Sequence, residues 1–384
     1  MRLLLASLAL AAALSPALAR AQAAAPACAY TAGAATLALG GRPFAAQPTA
    51  DGCWLFVSLT GVQNSPSGIA VLHNENGAFH LAHTAKVSGQ PGGLALSHDG
   101  RTLAVAAQDR LLLIDVGKLQ GGDPEPVRAE VPDGTTAGAI YAAFSLDDRL
   151  IFVSEERRMG IAVVDVARAM SAAGQAAIIG RIPQGRAPVG LALSADGRRL
   201  YATSELAPDS LGFPKRCAPQ TGKAGPDQAV GVLFVIDVAR AAKAPTQAIV
   251  AAAAAGCGPV RVALSPDDST AWVSARGDNT ALSFPTAGLR GVQATPAVTP
   301  HAVGTAPVGV TVRPDGAEVW VANSDRFSTS SQGTLSVLPT AGGPARAVPS
   351  GGFPRDIAFL PDGKTLAVAV FRSGAIQFVP TNGP

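Results

Sequence analysis

One aspartate recurs seven times along this 384-residue chain, and its spacing limits the folds open to it. It stands at Asp51, Asp99, Asp147, Asp196, Asp267, Asp315 and Asp362, with intervals of 48, 48, 49, 71, 48 and 47 residues. Glycine follows it in five copies; Asp148 and Asp268 take that place in the other two. Eight residues before it sits Pro43, Pro91, Pro188, Pro259, Pro307 or Pro354, with Ala139 the exception. Five residues after it come Phe56, Phe152, Tyr201, Trp272 and Trp320, with Ala104 and Ala367 in the remaining copies. In the unit from Pro188 to Glu205 the flanks are the alternating runs GLALS and RLYATS. Asp-Gly between two such runs marks a hairpin, because glycine accepts the positive φ that tight turns need.

Two strands are thus visible in every unit of about 48 residues, the signature of a repeat architecture. Seven units fit an all-β, seven-bladed β-propeller built from four-stranded antiparallel blades. The last unit has only three strands before the chain ends, whereas ATLALGG, residues 35–41, precedes the first unit as a spare strand. That strand is expected to close the last blade from outside, removing an exposed edge. The five aromatics on second strands are expected in the core, where diverging blades leave volume to fill. Length alone would allow two or three domains, but the repeat makes residues 24–384 one domain. The 71-residue interval carries an insertion at about residues 206–229, between the second and third strands of the fourth blade.

Residues 1–23 read as a secretory signal: Arg2, the apolar run LLLASLALAAALS, and Ala21 and Ala23 as a small-residue cleavage site. That run is too short to span a bilayer, and no later stretch qualifies. The expectation is a periplasmic or secreted monomer with no membrane span. Formal charge is +3, with two arginines inside the signal, so no basic footprint for nucleic acid is present. Tracing strand directions puts Cys217 and Cys257 on the face of the inter-blade connections, the top, and Cys28 and Cys53 on the bottom. Of three possible pairings, this favours Cys28–Cys53 with Cys217–Cys257. No metal site is expected, since no C-x-x-C occurs and the pairs lie on opposite faces.

The units PVGLALSADGRRLYATS and PVGVTVRPDGAEVWVAN resemble YVTN-type β-propeller repeats, whose hallmark is P-x-G, three apolar residues, S-P-D-G and then Tyr-Val-Thr-Asn. The resemblance spans roughly residues 34–380. The chain is also similar to lactonase-like seven-bladed propellers, through SGIAVLHNENGAFHL in the first unit. Such a resemblance implies the fold; relatives include hydrolytic lactonases, haem-handling propellers and surface-layer modules, and function does not travel with the fold.

The five histidines, His73, His80, His83, His98 and His301, form no chelating pattern, and H-E-x-x-H, C-x-x-C-H and G-x-S-x-G are absent. No cofactor is expected. Chemistry is left to the top mouth of the central channel, where inner strands start and second strands end. There the topology gathers Tyr141, Arg261, Arg355 and Asp356 with Glu155, Glu156, Glu205, Arg276 and Asn323. The rival reading is a solvated rim, strongest for the charged loop Glu155-Glu156-Arg157-Arg158. Six residues before the turn aspartate, four units carry Ala45, Gly93, Gly190 and Gly309, but three carry Tyr141, Arg261 and Asp356. A large polar residue so near the axis needs a reason of its own. Arg261 and Asp356, two blades apart, could meet only across the channel or through a ligand. As ligand residues, truncating Arg261 would cost binding and leave melting temperature unchanged or raised. The expected role is a binding or interaction scaffold for an unknown small molecule or protein partner at the top face. The alternative is a lactonase-like hydrolase in which carboxylates and arginines activate water and hold an oxyanion.

Overall fold

Each unit becomes a hairpin because its turn is tied by side-chain bonds. In the computed structural model, which describes residues 27–61, 67–171, 174–218 and 226–381, the turn carboxylates of Asp99, Asp147, Asp196 and Asp267 accept from Ser97, Ser145, Ser194 and Ser265 two residues earlier. They also accept from the backbone N–H two residues later. The residue after the aspartate has positive φ throughout, 64–78° at the five glycines and 56° and 57° at Asp148 and Asp268. Those two side chains reach the preceding blade: Asp148 accepts from the His98 and Asp99 N–H groups, and Asp268 from that of Ala195. The 1–23 segment lies outside the described residues, as does 219–225 within the insertion.

Seven four-stranded antiparallel sheets result. The fourth blade, for example, runs Arg186–Leu193, Arg199–Leu206, Val232–Asp237 and Ile249–Ala254 from axis to rim. Closure follows the expected route: Ala35–Ala38 pairs antiparallel with Ala375–Pro380, Leu37 opposite Ile376. Tyr30 reinforces it, stacking on Phe378 at 5.0 Å and Phe79 at 5.9 Å, across the last and first blades. All five repeat aromatics are buried.

Both disulfides form as expected, Cys28–Cys53 and Cys217–Cys257, with Cα separations of 4.9 and 5.4 Å. The second fastens the insertion hairpin, Lys215–Cys217 against Gln228–Ala229, to the connection into the fifth blade. No described helix is long and apolar enough to cross a membrane.

A second recurring device lies seven residues after the turn aspartate. Ser58, Ser154, Thr203 and Ser274 each donate to an inner-strand carbonyl of the following blade, at Gly92, Val189, Val260 and Val308. Inner strands break register here, which frees backbone groups. The hydroxyls of Ser58, Thr203 and Ser274 accept from the freed N–H of Ala45, Gly190 and Arg261. One hydroxyl therefore satisfies a bulge and ties two blades.

Candidate functional site

Inner-strand residues seven before the turn aspartate converge on the axis. Phe44, Ile140, Val189, Val260 and Val308 belong to one buried cluster drawn from five blades. The channel is closed at this level, and four of the anticipated site residues form part of the closure rather than an open wall.

The large residues at the next position follow steric complementarity. A Cβ on Gly93 would fall 2.3 Å from the Tyr141 ring, and one on Gly190 would fall 2.8 Å from Arg261 Cα. One on Gly309 would fall 3.2 Å from the Arg355 carbonyl. Glycine in the second, fourth and sixth blades thus admits the inner strand of the third, fifth and seventh. Tyr141, Arg261 and Asp356 then meet. The Arg261 guanidinium lies 3.4 Å over the Tyr141 ring and 3.6 Å from the Asp356 carboxylate. Asp356 also accepts from Ala46 N–H at 3.2 Å. Arg355 covers Phe44 at 3.8 Å. Burial pulls the Arg261 guanidinium down to about 9, against the pull of Asp356, and Arg355 down to about 10, so both stay charged near neutrality. Burial pushes the Asp356 carboxyl up, opposed chiefly by Arg261.

Above this plug opens a pocket of about 620 Å³ on the top face. Glu205 and Arg276 line it, paired at 2.7 Å. Glu156, Arg157, Arg186 and Arg326 line it too. The Arg157 guanidinium is held by the Thr135 carbonyl and by Gln108 Oε1, which leaves those of Arg186, Arg276 and Arg326 to balance two carboxylates. Arg276 is 5 % exposed and its Nε lacks a partner. Burial, then the charge of Glu205, raises the Glu156 carboxyl, while Arg355, Arg276 and Arg326 lower it. Neither Glu156 nor Arg326 forms an ion pair among the described residues. Arg326 and Arg186 were not singled out from the sequence. Both lie where strand direction places top loops and inner-strand starts, the signal that could have found them.

Two anticipated residues lie elsewhere. Glu155 is fully buried and points outward, bonded by Arg181 on the outermost strand of its blade, which also holds Asp133. Its loop is solvated in part: Arg157 is exposed, though it donates to the Thr135 carbonyl, and the half-buried Arg158 donates to that of Asp133. Asn323 is buried within the sixth blade, donating to Thr334 and Ser336 at 3.0 and 2.9 Å. Adjacent residues along a strand face opposite ways, so one residue of register separates Glu156 at the pocket from Glu155 behind it. Among the described residues no group of three metal-binding side chains gathers.

Compared with known proteins, the chain matches no family model and no curated protein. Among solved structures it is similar to Kuenenia stuttgartiensis hydrazine synthase, at a TM-score of 0.67 and 16 % identity over 91 % of this chain and 97 % of that one. It is also similar to the β-propeller domain of Myceliophteria thermophila Cps50 (Swd1), at a TM-score of 0.62 and 15 % identity over 90 % and 97 %. These likenesses concern the fold, a seven-bladed β-propeller.

Proposed function

We propose that this protein is an exported propeller scaffold that binds a small anionic ligand at its top face. The observation that carries the reading is the pocket above the plug, which Arg186, Arg276 and Arg326 line with two carboxylates, one of them already paired with Arg276. An anion entering it would meet charge-assisted donors in a partly desolvated site. Export is supported by the signal-like residues 1–23 and by two disulfides, which persist in oxidising compartments.

A second reading, lactonase-like hydrolysis, draws on Glu156, a carboxyl with raised proton affinity beside arginines able to hold an oxyanion.

Calorimetric titration with inorganic phosphate, succinate and citrate tests binding. At least one should bind, more weakly as salt is raised. Arg326→Ala should weaken it by about tenfold or more, the worth of one charge-assisted hydrogen bond, with an unchanged melting temperature because Arg326 is exposed. If none of the three binds, the anion reading fails. Steady hydrolysis of a lactone panel, lost in Glu156→Gln, would move the assignment to the enzyme.

A further inference from the structure

Glu156 is the carboxylate of the arginine pocket that nothing in the protein answers. Its backbone is fixed. The Glu156 N–H donates to the Gly138 carbonyl at 3.0 Å, and Gly138 sits so close that a Cβ on it would fall 2.9 Å from Arg157 Cγ. Behind it, Glu155 is held by Arg181. The Glu156 side chain is half-buried and has no hydrogen bond or ion pair among the described residues. Neither carboxylate oxygen is enclosed, so both keep accessible surface. Beyond burial, the charges acting on this carboxyl are those of Glu205, then Arg355, Arg276 and Arg326. Three of these four line the same pocket, so the carboxyl faces the space an anion would enter.

Arg276 and Glu205 satisfy each other at 2.7 Å, and the Arg157 guanidinium is taken by the Thr135 carbonyl and Gln108 Oε1. The charges left free are Arg186 and Arg326, both exposed and without an ion pair among the described residues, and Glu156. A plain dianion would answer the two guanidiniums but set its own charge against Glu156. An ammonium on the same molecule would give Glu156 the charge-assisted donors it lacks.

We propose that the ligand class of this pocket is an amino dicarboxylate, with Arg186 and Arg326 taking its anionic groups and Glu156 its ammonium. The proposal rests on the anion-binding reading. The arginines repel an ammonium everywhere in the pocket except beside Glu156, so a preference for the amino compound is diagnostic of that one contact.

The test is calorimetric titration of the full chain with aspartate against succinate and glutamate against glutarate, using both hands of each amino acid. The members of a pair differ only by the ammonium. In at least one pair the amino acid should bind about tenfold more tightly, the worth of one charge-assisted hydrogen bond. Glu156→Gln should reverse the order, since only the arginines then meet the ammonium, and should tighten dicarboxylate binding. Glu156 also acts as a distant countercharge to the buried Arg355; that role moves stability in the variant but not the choice between paired ligands. Equal or weaker binding of every amino acid in the unaltered protein, or a preference that survives Glu156→Gln, would overturn the proposal and leave the anion pocket standing. Malate supplies a check that needs no variant: a gain over succinate equal to that of aspartate would mean a neutral hydrogen bond and would overturn the proposal too. If both series fail while phosphate or citrate binds, the proposal falls alone; if nothing binds, the anion reading falls with it.

Discussion

Arg261 stands where the repeat elsewhere demands a small residue, and its surroundings explain the exception. Its charge is spent inside the molecule, stacked on Tyr141 and paired with Asp356, two blades away. The pairing reverses the expectation drawn from the sequence, that its loss would leave stability unchanged. Arg261→Ala would strand the Asp356 carboxylate in a buried site, and breaking such a pair from one side costs about 3–5 kcal/mol. Chemical denaturation should show that loss, and the double variant Arg261→Met with Asp356→Leu should recover most of it. A single variant with the unaltered midpoint would show that the pair contributes nothing.

At the scale of elements, the repeated hydroxyl and the closing strand do complementary things. The hydroxyls of Ser58, Ser154, Thr203 and Ser274 join neighbouring blades near the axis. The strand Ala35–Ala38 joins the two ends at the rim. Removing residues 24–41 would expose the Ala375–Pro380 edge and the Phe79–Phe378 stack. Because that deletion also frees Cys53, Cys53→Ser alone is its control. The truncated protein should aggregate on concentration and melt well below this control, as light scattering and calorimetry would show. A monodisperse truncation melting with the control would mean that closure does not depend on the strand.

For the whole molecule, charge is buried among the described residues in the plug, in Arg276 paired with Glu205 at the pocket wall, and in the Asp133–Glu155–Arg181 group behind the third blade. In the last of these, two carboxyls share one guanidinium. Burial, then Asp133, pushes the Glu155 carboxyl from an ordinary 4.5 up to about 8, against the pull of Arg181. A raised folded value means that the folded state holds the proton more tightly. The stabilisation is complete below about pH 4.5, declines between 4.5 and 8, and is gone above 8. Glu155→Gln removes this dependence, so its melting temperature should gain on that of the unaltered protein as pH rises from 5 to 8.5. Parallel curves would exclude the effect.

The sequence alone determined the blade count, the strand order, the closing strand and both disulfides. Each follows from a periodicity of about 48 residues and from which face a given offset within the repeat must reach. It also pointed to Tyr141, Arg261 and Asp356 as exceptions, because a broken repeat is visible without coordinates. Tertiary structure alone decided their role. Whether a charge beside the axis lines a channel or plugs it depends on the side chains arriving from the other blades, and Phe44 and Arg355 come from opposite ends of the chain. The separation of Glu155 from Glu156 turned on one residue of register at a strand end, where repeat spacing is too coarse to assign a face.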